Sequence, residues 1–250
     1  MIGRSFIYFP DPAHPGSIVD RVPGARDVEF TTADGLTLST WLFAPLDHTR
    51  NVAVLYMPGN GGNRASRLDV ALAITALGYS VLLLEYRGYG GNPGEPSEDG
   101  FAADAQAAAT FLHEAGFEPD RIIYVGESIG TGVASRLASV DQPAGVLLRS
   151  PFTSLTEVVK TWYPWLPLSL GPPDCFDTMS YLPTITVPIT VLVGSADDIV
   201  PPSQSKTVAE AAPNLFNLTV LDNTGHNDAI WFGPYLASQV DELAQSVAPR

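Results

Sequence analysis

The chain of 250 residues is long enough to bury a substantial core, as one α/β domain or as two small ones. Hydrophobic residues make up 45% of it and charged residues 16%, which excludes an intrinsically disordered protein and favours a compact globular one. The net charge of −14 at pH 7, with no run of lysine or arginine, argues against nucleic acid or an anionic membrane surface as the main partner.

The single cysteine and the amino-terminal stretch exclude further classes of protein. Cys175 is the only cysteine, so we expect no intrachain disulfide and no zinc site built from cysteines. Its acidic neighbours disfavour a nucleophilic thiolate. The first 15 residues are interrupted by Pro10, Asp11 and Pro12 and do not resemble a signal peptide. No stretch approaches the roughly 18 apolar residues of a membrane span. These features favour a cytoplasmic protein without a membrane span.

The first half of the chain predicts an arm followed by alternating strands and helices. Residues 1–26, rich in proline and glycine, are interpreted as an arm on the surface of the domain. Two β-rich runs at 27–32 and 36–44 flank the turn signal Ala33-Asp34-Gly35 and predict an antiparallel hairpin. The apolar pattern then predicts strands at 52–57 and 80–84 and helices near 68–77 and at 99–115.

The second half continues this alternation around one interruption. Residues 150–184 contain several prolines and the aromatic Trp162, Tyr163 and Trp165, and are interpreted as a short cap insertion above the sheet. The core would then comprise residues 27–149 and 185–250. Strands that are almost entirely apolar and alternate with helices indicate a mostly parallel central sheet with helices on both faces. The remaining predicted strands are 122–125, 145–148, 189–193 and 218–221, and the remaining predicted helices are 133–140, 203–212 and 229–247.

The motif Gly126-Glu127-Ser128-Ile129-Gly130 fits G-x-S-x-G and lies between a predicted strand and a predicted helix. In this setting the two glycines let the strand and helix backbones pass closely. Ser128 is then held in a strained turn with its hydroxyl exposed. The alternative is a glycine-lined turn in which the serine only caps the helix. A base and an acid elsewhere in the chain that could act with Ser128 would favour the nucleophile over the helix cap.

Groups of suitable chemistry follow two later strands. Asp197 follows the strand at 189–193 and His226 follows the strand at 218–221, and the carboxyl ends of parallel strands meet at one edge of a sheet. A serine hydroxyl needs a base such as histidine, whose tautomer a carboxylate can fix. We therefore predict a triad of Ser128, His226 and Asp197, the acid nearest its strand end. The sequence also offers rival acids and bases at other positions: Asp198, Asp222, His14, His48 and His113.

An oxyanion formed during acyl transfer needs at least two hydrogen-bond donors. The N–H of Ile129, directly after the serine, is the first candidate. The N–H of Asn60, in the glycine loop at 58–62, is the second. A phosphate-binding interpretation of that loop is weak, because it has neither a Gly-Lys-Ser/Thr ending nor a G-x-G-x-x-G pattern.

Six segments carry a resemblance to a known family: Gly59-Asn60-Gly61-Gly62-Asn63, Tyr86-Arg87-Gly88-Tyr89-Gly90, Gly126-Glu127-Ser128-Ile129-Gly130, Ser150-Pro151-Phe152, Asp197-Asp198-Ile199-Val200-Pro201 and Gly225-His226. Together they resemble the α/β-hydrolase superfamily. The similarity is greatest to its branch of small serine hydrolases with an abhydrolase or serine-aminopeptidase-like domain, which includes depalmitoylating thioesterases. The resemblance implies the α/β-hydrolase fold, triad roles for Ser128, Asp197 and His226, and oxyanion roles for Asn60 and Ile129. Pro58 is a departure, because the family often has histidine there.

The sequence thus predicts a serine hydrolase that cleaves carboxylic esters or thioesters through an acyl-enzyme, with no metal or organic cofactor. The aromatic segment 162–168 predicts an apolar roof over the site, and hence a small-molecule ester with an apolar group. Amide or peptide hydrolysis with the same triad, and a non-catalytic binding module on the same fold, stay open as alternatives. Arg87 is expected to form a buried ion pair that holds its loop rather than to bind an acidic substrate.

Overall fold

The computed structural model describes residues 4–165 and 173–247. Three predicted regions therefore extend beyond the described residues: the arm at 1–3, the insertion and its roof at 166–172, and the carboxyl end at 248–250. Within the described residues, no helix is both long enough and apolar enough to cross a membrane.

The strands that were expected from apolar runs form one mixed sheet in the described part of the chain. In chain order the strands are β1 (Phe9–Pro10), β2 (Ala25–Thr31), β3 (Thr37–Phe43), β4 (Ala53–Met57), β5 (Gly61–Gly62), β6 (Ser80–Leu83), β7 (Ile122–Glu127), β8 (Gly145–Arg149), β9 (Ile189–Gly194) and β10 (Leu215–Leu221). The sheet order is β10-β9-β8-β7-β4-β6-β3-β2, while β1 and β5 form a separate short parallel pair.

The sheet is parallel except at one end. There β2 and β3 form the predicted antiparallel hairpin, and β3 also pairs antiparallel with β6. The turn closes through a hydrogen bond of 2.8 Å from Thr32 N–H to the Leu36 carbonyl. Gly35 has a φ of +89°, a conformation that costs glycine little.

Helices cover both faces of the sheet, as predicted. Helices α1 and α7 pack on one face, and α2, α3 and α6 pack on the other. In α2, Phe101, Ala105, Ala108 and Leu112 recur at helical spacing and are fully buried. The helices are α1 (Leu68–Thr75), α2 (Glu98–Glu114), α3 (Ile129–Ala138), α4 (Leu155–Trp162), α5 (Thr178–Tyr181), α6 (Pro202–Ala211) and α7 (Pro234–Val247).

Three predicted elements differ from the structure by more than two residues. Helix α3 begins at Ile129, four residues before the predicted helix at 133–140, because the glycines of its first turn have a low helix propensity that the packing overrides. The predicted helix at 229–247 is wrong as one element: a 3₁₀ turn at Ala229–Phe232 ends at Gly233, whose backbone is extended, and Pro234 starts α7. The last strand begins at Leu215, three residues earlier than predicted. Its register shifts between Leu215 and Asn217, which disturbs the regular pattern that identifies a strand.

The loop after β6 is held by the ion pairs of Arg87. Its guanidinium lies 2.8 Å from the carboxylate of Asp104 and 2.7 Å from that of Asp34. Arg87 and Asp104 are both buried. The expectation of a buried pair that holds this loop is therefore confirmed.

Candidate active site

Ser128 lies in the tight turn between the end of β7 and the start of α3. Its φ of 53° and ψ of −119° are rare for a residue with a side chain. Such strain persists only where the surrounding structure enforces it, and it occurs most often at functional sites. The turn directs the serine toward the carboxyl edge of the parallel strands, where the other predicted groups were expected.

Two glycines make this turn sterically feasible. A Cβ on Gly126 would lie 2.6 Å from the carbonyl oxygen of Gly130. A Cβ on Gly130 would overlap the Met57 carbonyl and lie 2.7 Å from the Pro58 carbonyl. Glycine at these positions therefore lets α3 start directly against β7 and against the loop after β4.

The structure brings Ser128, His226 and Asp197 into one chain of contacts. Ser128 Oγ lies 3.1 Å from His226 Nε2, and His226 Nδ1 lies 2.7 Å from Asp197 Oδ2. If Nδ1 carries the proton and donates it to Asp197, Nε2 is free to accept the serine proton. His226 and Asp197 are both buried. Their hydrogen bonds are therefore shielded from competing water.

Asp197 is itself fixed by the turn that follows β9. Its second carboxylate oxygen accepts the N–H groups of Ile199 at 3.0 Å and of Val200 at 2.8 Å. Burial on its own would raise the pKa of Asp197, but the hydrogen bonds from His226 and from these amides outweigh burial and lower that pKa. The group facing the histidine is therefore an ionised carboxylate.

The loop that carries His226 is tied to its surroundings on both sides. The Gly225 N–H donates to the Asp228 carboxylate at 2.7 Å, and the indole N–H of Trp231 donates to the Gly225 carbonyl at 2.8 Å. The carbonyl of His226 accepts from Arg149 at 2.8 Å. These bonds limit how far the imidazole can move from the serine.

The rival residues do not take part in the contacts of Ser128, although Asp198 borders the same cavity. Asp198 and Asp222 are exposed, and neither contacts His226 in the described structure. His113 faces Asp141 at 3.9 Å, while the other two histidines pack against glycines. The Cys175 sulfur lies 3.6 Å from the hydroxyl of Thr156. The positions of these groups separate them from the contacts of Ser128.

Both predicted oxyanion donors border the same cavity as Ser128. The N–H groups of Asn60 and Ile129 have no hydrogen-bond acceptor among the described residues. The rest of Asn60 is engaged: its carbonyl and its side-chain oxygen accept from the hydroxyl of Tyr89, at 2.9 and 3.0 Å. The backbone at Asn60 is therefore held in place while its backbone N–H stays available to a ligand.

The amino-terminal arm also fixes Asn60. The N–H of Phe9 donates to the Asn60 side-chain oxygen at 3.3 Å, and the side-chain NH₂ of Asn60 donates to the carbonyl of Ile7. The pairing of β1 with β5 and a bond of 3.0 Å from Asp11 N–H to the Gly62 carbonyl extend this contact. The arm thus orders the glycine loop, a role that its sequence did not indicate.

A buried carboxylate lies immediately behind the serine. Glu127 is 2% exposed and pairs with Arg67 at 2.6 Å and with Arg149 at 2.9 Å. Tyr56 donates its hydroxyl to it at 2.8 Å. Burial alone would raise the pKa of Glu127, but the two guanidinium groups outweigh it and lower that pKa to about 2. This carboxylate is therefore ionised at neutral pH.

The cavity beside Ser128 has a volume of about 1290 Å³ and two contrasting sides. We call Asn60, Ser128, Ile129 and His226 its polar floor. Helix α4 provides what we call its apolar wall, and further apolar residues complete the lining. The apolar wall is Leu155, Val158, Val159 and Trp162, and the further apolar residues include Ile7, Phe9, Phe152, Ile199, Val200 and Phe232.

Sequence reasoning missed the role of several residues around the floor. Tyr89 lies in a segment that was recognised only by resemblance, and Glu127 was treated as the variable position of the motif. One signal was available for Glu127: a charged residue at the end of an otherwise apolar, buried strand needs a buried partner. Among the described residues, no cluster of three or more His, Cys, Asp or Glu side chains is arranged to hold a metal ion.

Comparisons with known proteins agree with this architecture. Residues 52–171 match the family model for the α/β-hydrolase fold. The chain is 44% identical over 226 residues to an uncharacterised protein of Mycobacterium tuberculosis, covering 90% of this chain and 80% of the relative. It is 30% identical over 205 residues to the α/β-hydrolase domain-containing protein WAV2 of Arabidopsis thaliana, covering 75% of this chain and 67% of the relative.

A solved structure gives the same result for the fold. The Pyrococcus furiosus esterase Pf2001 superposes with a TM-score of 0.76 at 23% identity, over 96% of this chain and 97% of that one. The chain belongs to the α/β-hydrolase family. The predicted superfamily and fold class are therefore confirmed.

Proposed function

We propose that this protein is a serine hydrolase that cleaves carboxylic esters through an acyl-enzyme on Ser128. One observation carries the proposal: the hydroxyl of Ser128, the imidazole of His226 and the carboxylate of Asp197 contact each other in series. That arrangement supplies a nucleophile, a base and a group that orients the base. The fold alone would not establish an activity, since folds host many functions.

In the first half of the proposed reaction, Ser128 Oγ attacks the ester carbonyl carbon while His226 Nε2 takes its proton. The carbonyl oxygen becomes an oxyanion, which accepts hydrogen bonds from the N–H groups of Asn60 and Ile129. Asp197 stabilises the imidazolium through Nδ1. The C–O bond to the alcohol then breaks, and His226 returns the proton to the leaving oxygen.

The second half repeats the sequence with water as the nucleophile. His226 takes a proton from water, the hydroxide oxygen attacks the acyl carbon, and the bond to Ser128 breaks as its oxygen is reprotonated. The products are a carboxylic acid, an alcohol and free enzyme. A thioester would react in the same way with a thiol as the leaving group.

The apolar wall supports an ester with an apolar acyl or alcohol group. Val158 is buried, and the Trp162 ring borders the cavity with its indole N–H donated to the Ile199 carbonyl at 2.9 Å. An apolar chain lying against this wall would be removed from water, which favours binding by about 25 cal/mol per Å² of apolar surface buried. Residues 166–168 of the roof predicted at 162–168 lie outside the described residues. The cytoplasmic location stays a prediction from the sequence.

A comparison of p-nitrophenyl esters from acetate to octanoate tests the proposal. We expect Ser128→Ala to lower kcat by at least ~10³-fold, because no nucleophile remains. Ser139→Ala is the matched control: its hydroxyl donates to the Arg136 carbonyl at 2.7 Å in the last turn of α3, away from the cavity, and its rate should equal that of the wild type. Equal rates for Ser128→Ala and wild type would contradict the proposal.

Two alternatives have their own measurements. Faster hydrolysis of aminoacyl p-nitroanilides than of the matching esters would favour an amide or peptide hydrolase with the same triad. Failure of a fluorophosphonate to label Ser128, together with no turnover of any ester, would favour a non-catalytic binding module.

A further inference from the structure

The buried ion cluster behind Ser128 touches more than one loop of the site. At its centre, Glu127 Oε1 lies 2.6 Å from Arg67 Nη2 and 2.9 Å from Arg149 Nη2. Its other oxygen accepts from Arg67 Nε at 3.2 Å and from the Tyr56 hydroxyl at 2.8 Å. One carboxylate, adjacent in sequence to the nucleophile, thus holds two guanidinium groups that come from different elements.

Arg67 connects this carboxylate to the glycine loop. Its Nη1 donates to the carbonyl of Gly61 at 2.7 Å, next to the proposed oxyanion donor Asn60. The loop also lies directly on the carboxylate, since a Cβ on Gly59 would be 2.6 Å from Glu127 Oε1. The position of the Asn60 N–H therefore depends on where Glu127 and Arg67 lie.

Arg149 connects the same carboxylate to the histidine and to the serine. It ends β8 beside Glu127 in the sheet register, and its Nη1 donates to the His226 carbonyl at 2.8 Å. Its own carbonyl accepts the N–H of Ser128 at 2.9 Å. Arg149 is 1% exposed, so water does not replace these contacts.

We propose that Glu127 is a positioning residue, which sets the distances between the nucleophile, the histidine and the oxyanion donor by holding Arg67 and Arg149 on one carboxylate. This inference rests on the proposed function. Without the negative charge, two buried guanidinium groups would face each other across a neutral side chain. Their repulsion would displace the glycine loop and the histidine loop in opposite directions. A catalytic site loses rate steeply when its groups move by even 1 Å.

The variant Glu127→Gln tests this by keeping the shape of the side chain and removing its charge. We expect kcat per fluorophosphonate-titrated site to fall by about 10- to 100-fold with KM within about twofold, since misplaced groups weaken transition-state rather than ground-state contacts. Titrating active sites counts only folded, reactive molecules. A loss of folded protein alone would therefore leave this quantity unchanged.

Asp241→Asn is the matched control. Asp241 also pairs with an arginine, Arg50 at 3.3 Å, and accepts from a tyrosine hydroxyl, that of Tyr79 at 2.7 Å, but it lies in α7 and touches neither the cavity nor its loops. We expect this variant to lose stability while keeping the wild-type kcat per titrated site. If Glu127→Gln behaves in the same way, the inference is overturned.

A second variant, Arg149→Lys, tests the inference if Glu127→Gln folds too poorly to be measured. Arg149→Lys keeps the positive charge but replaces two separate nitrogens, Nη1 on the His226 carbonyl and Nη2 beside Glu127, with a single ammonium on a shorter side chain, which weakens the link between them. We expect a drop of about tenfold in kcat per titrated site, and an unchanged value would overturn the inference. The wild type and Ser128→Ala are compared first. If turnover does not require Ser128, the result contradicts the proposed function rather than the positioning role of Glu127.

Discussion

The two sides of the cavity are built on different principles. The polar floor lies at the carboxyl ends of parallel strands, and its groups are fixed by hydrogen bonds and ion pairs from several elements. The apolar wall is a single two-turn helix after β8, and Trp162 on it is 48% exposed. The floor is therefore suited to fixing one chemistry, whereas the wall is suited to selecting among substrates. Changes to the floor should affect the rate for every ester, and changes to the wall should affect only some esters.

The largest effect should come from removing His226, the proposed proton acceptor in the polar floor. We expect His226→Gln to lower kcat by ~10⁴- to 10⁶-fold for all esters, because the serine proton has no acceptor and serine and base act as one unit. Steady-state kinetics with acetate and octanoate esters measure this. A loss confined to the longer ester would contradict the division between floor and wall.

The next effect should come from the acid. Asp197→Asn keeps the size of the side chain but favours the wrong histidine tautomer, so we expect a loss of about 10³- to 10⁴-fold in kcat. The exposed neighbour provides the control, since Asp198→Asn should stay within about twofold. If Asp198→Asn were the more damaging change, the assignment of the acid would be wrong.

The close packing of Gly130 in α3 against the loop after β4 predicts an effect on stability. Gly130→Ala would push a Cβ against the Met57 and Pro58 carbonyls, and we expect a loss of ~3 kcal/mol or more in the free energy of unfolding. Gly233→Ala adds the same methyl group in open space and should change little. Urea unfolding of the two variants compares them, and equal stabilities would contradict the close packing of α3 on this loop.

The buried carboxylate of the floor predicts a pH dependence. Because the pKa of Glu127 is lowered from 4.5 to about 2 in the folded protein, its contribution is complete above the unfolded value and is lost as the pH falls toward 2. We expect the unfolding free energy of the wild type to fall more steeply than that of Glu127→Gln, by up to ~1.4 kcal/mol per pH unit. Urea titrations between about pH 5 and pH 3 measure this, and parallel curves would contradict it.

The smallest effect should come from the wall. We expect Val158→Phe to narrow the cavity and to lower kcat/KM for octanoate relative to acetate by about tenfold, through lost apolar contact. Thr161→Ala changes an exposed position of the same helix and should leave the ratio unchanged. A Val158 variant that slows both esters equally would show that the wall belongs to the catalytic machinery.

The same contrast explains what the sequence could and could not predict. The strands at 122–127 and 189–194 are almost wholly apolar, and polar residues follow them, so the sheet and the location of Ser128 and Asp197 at one edge of it could be predicted. Those signals are local in the chain. A parallel sheet converts them into proximity without further information.

Contacts between polar groups far apart in the chain left no such signal. Asn60 is bound by arm residues about fifty positions earlier, and Glu127 by Arg67 sixty positions earlier. No periodicity relates these residues, because each contact depends on the folded arrangement of loops. The split of the predicted helix at 229–247 has a different cause: Gly233 and Pro234 were visible, but the apolar pattern on either side continued through them.

Intact-protein and peptide mass spectrometry after brief turnover of a slowly hydrolysed p-nitrophenyl ester tests the central claim most directly. We predict one acyl group per chain, attached to the peptide that contains Ser128 and absent from the Ser128→Ala variant. Acylation of another residue such as Cys175, or turnover with no covalent intermediate on Ser128, would contradict the account.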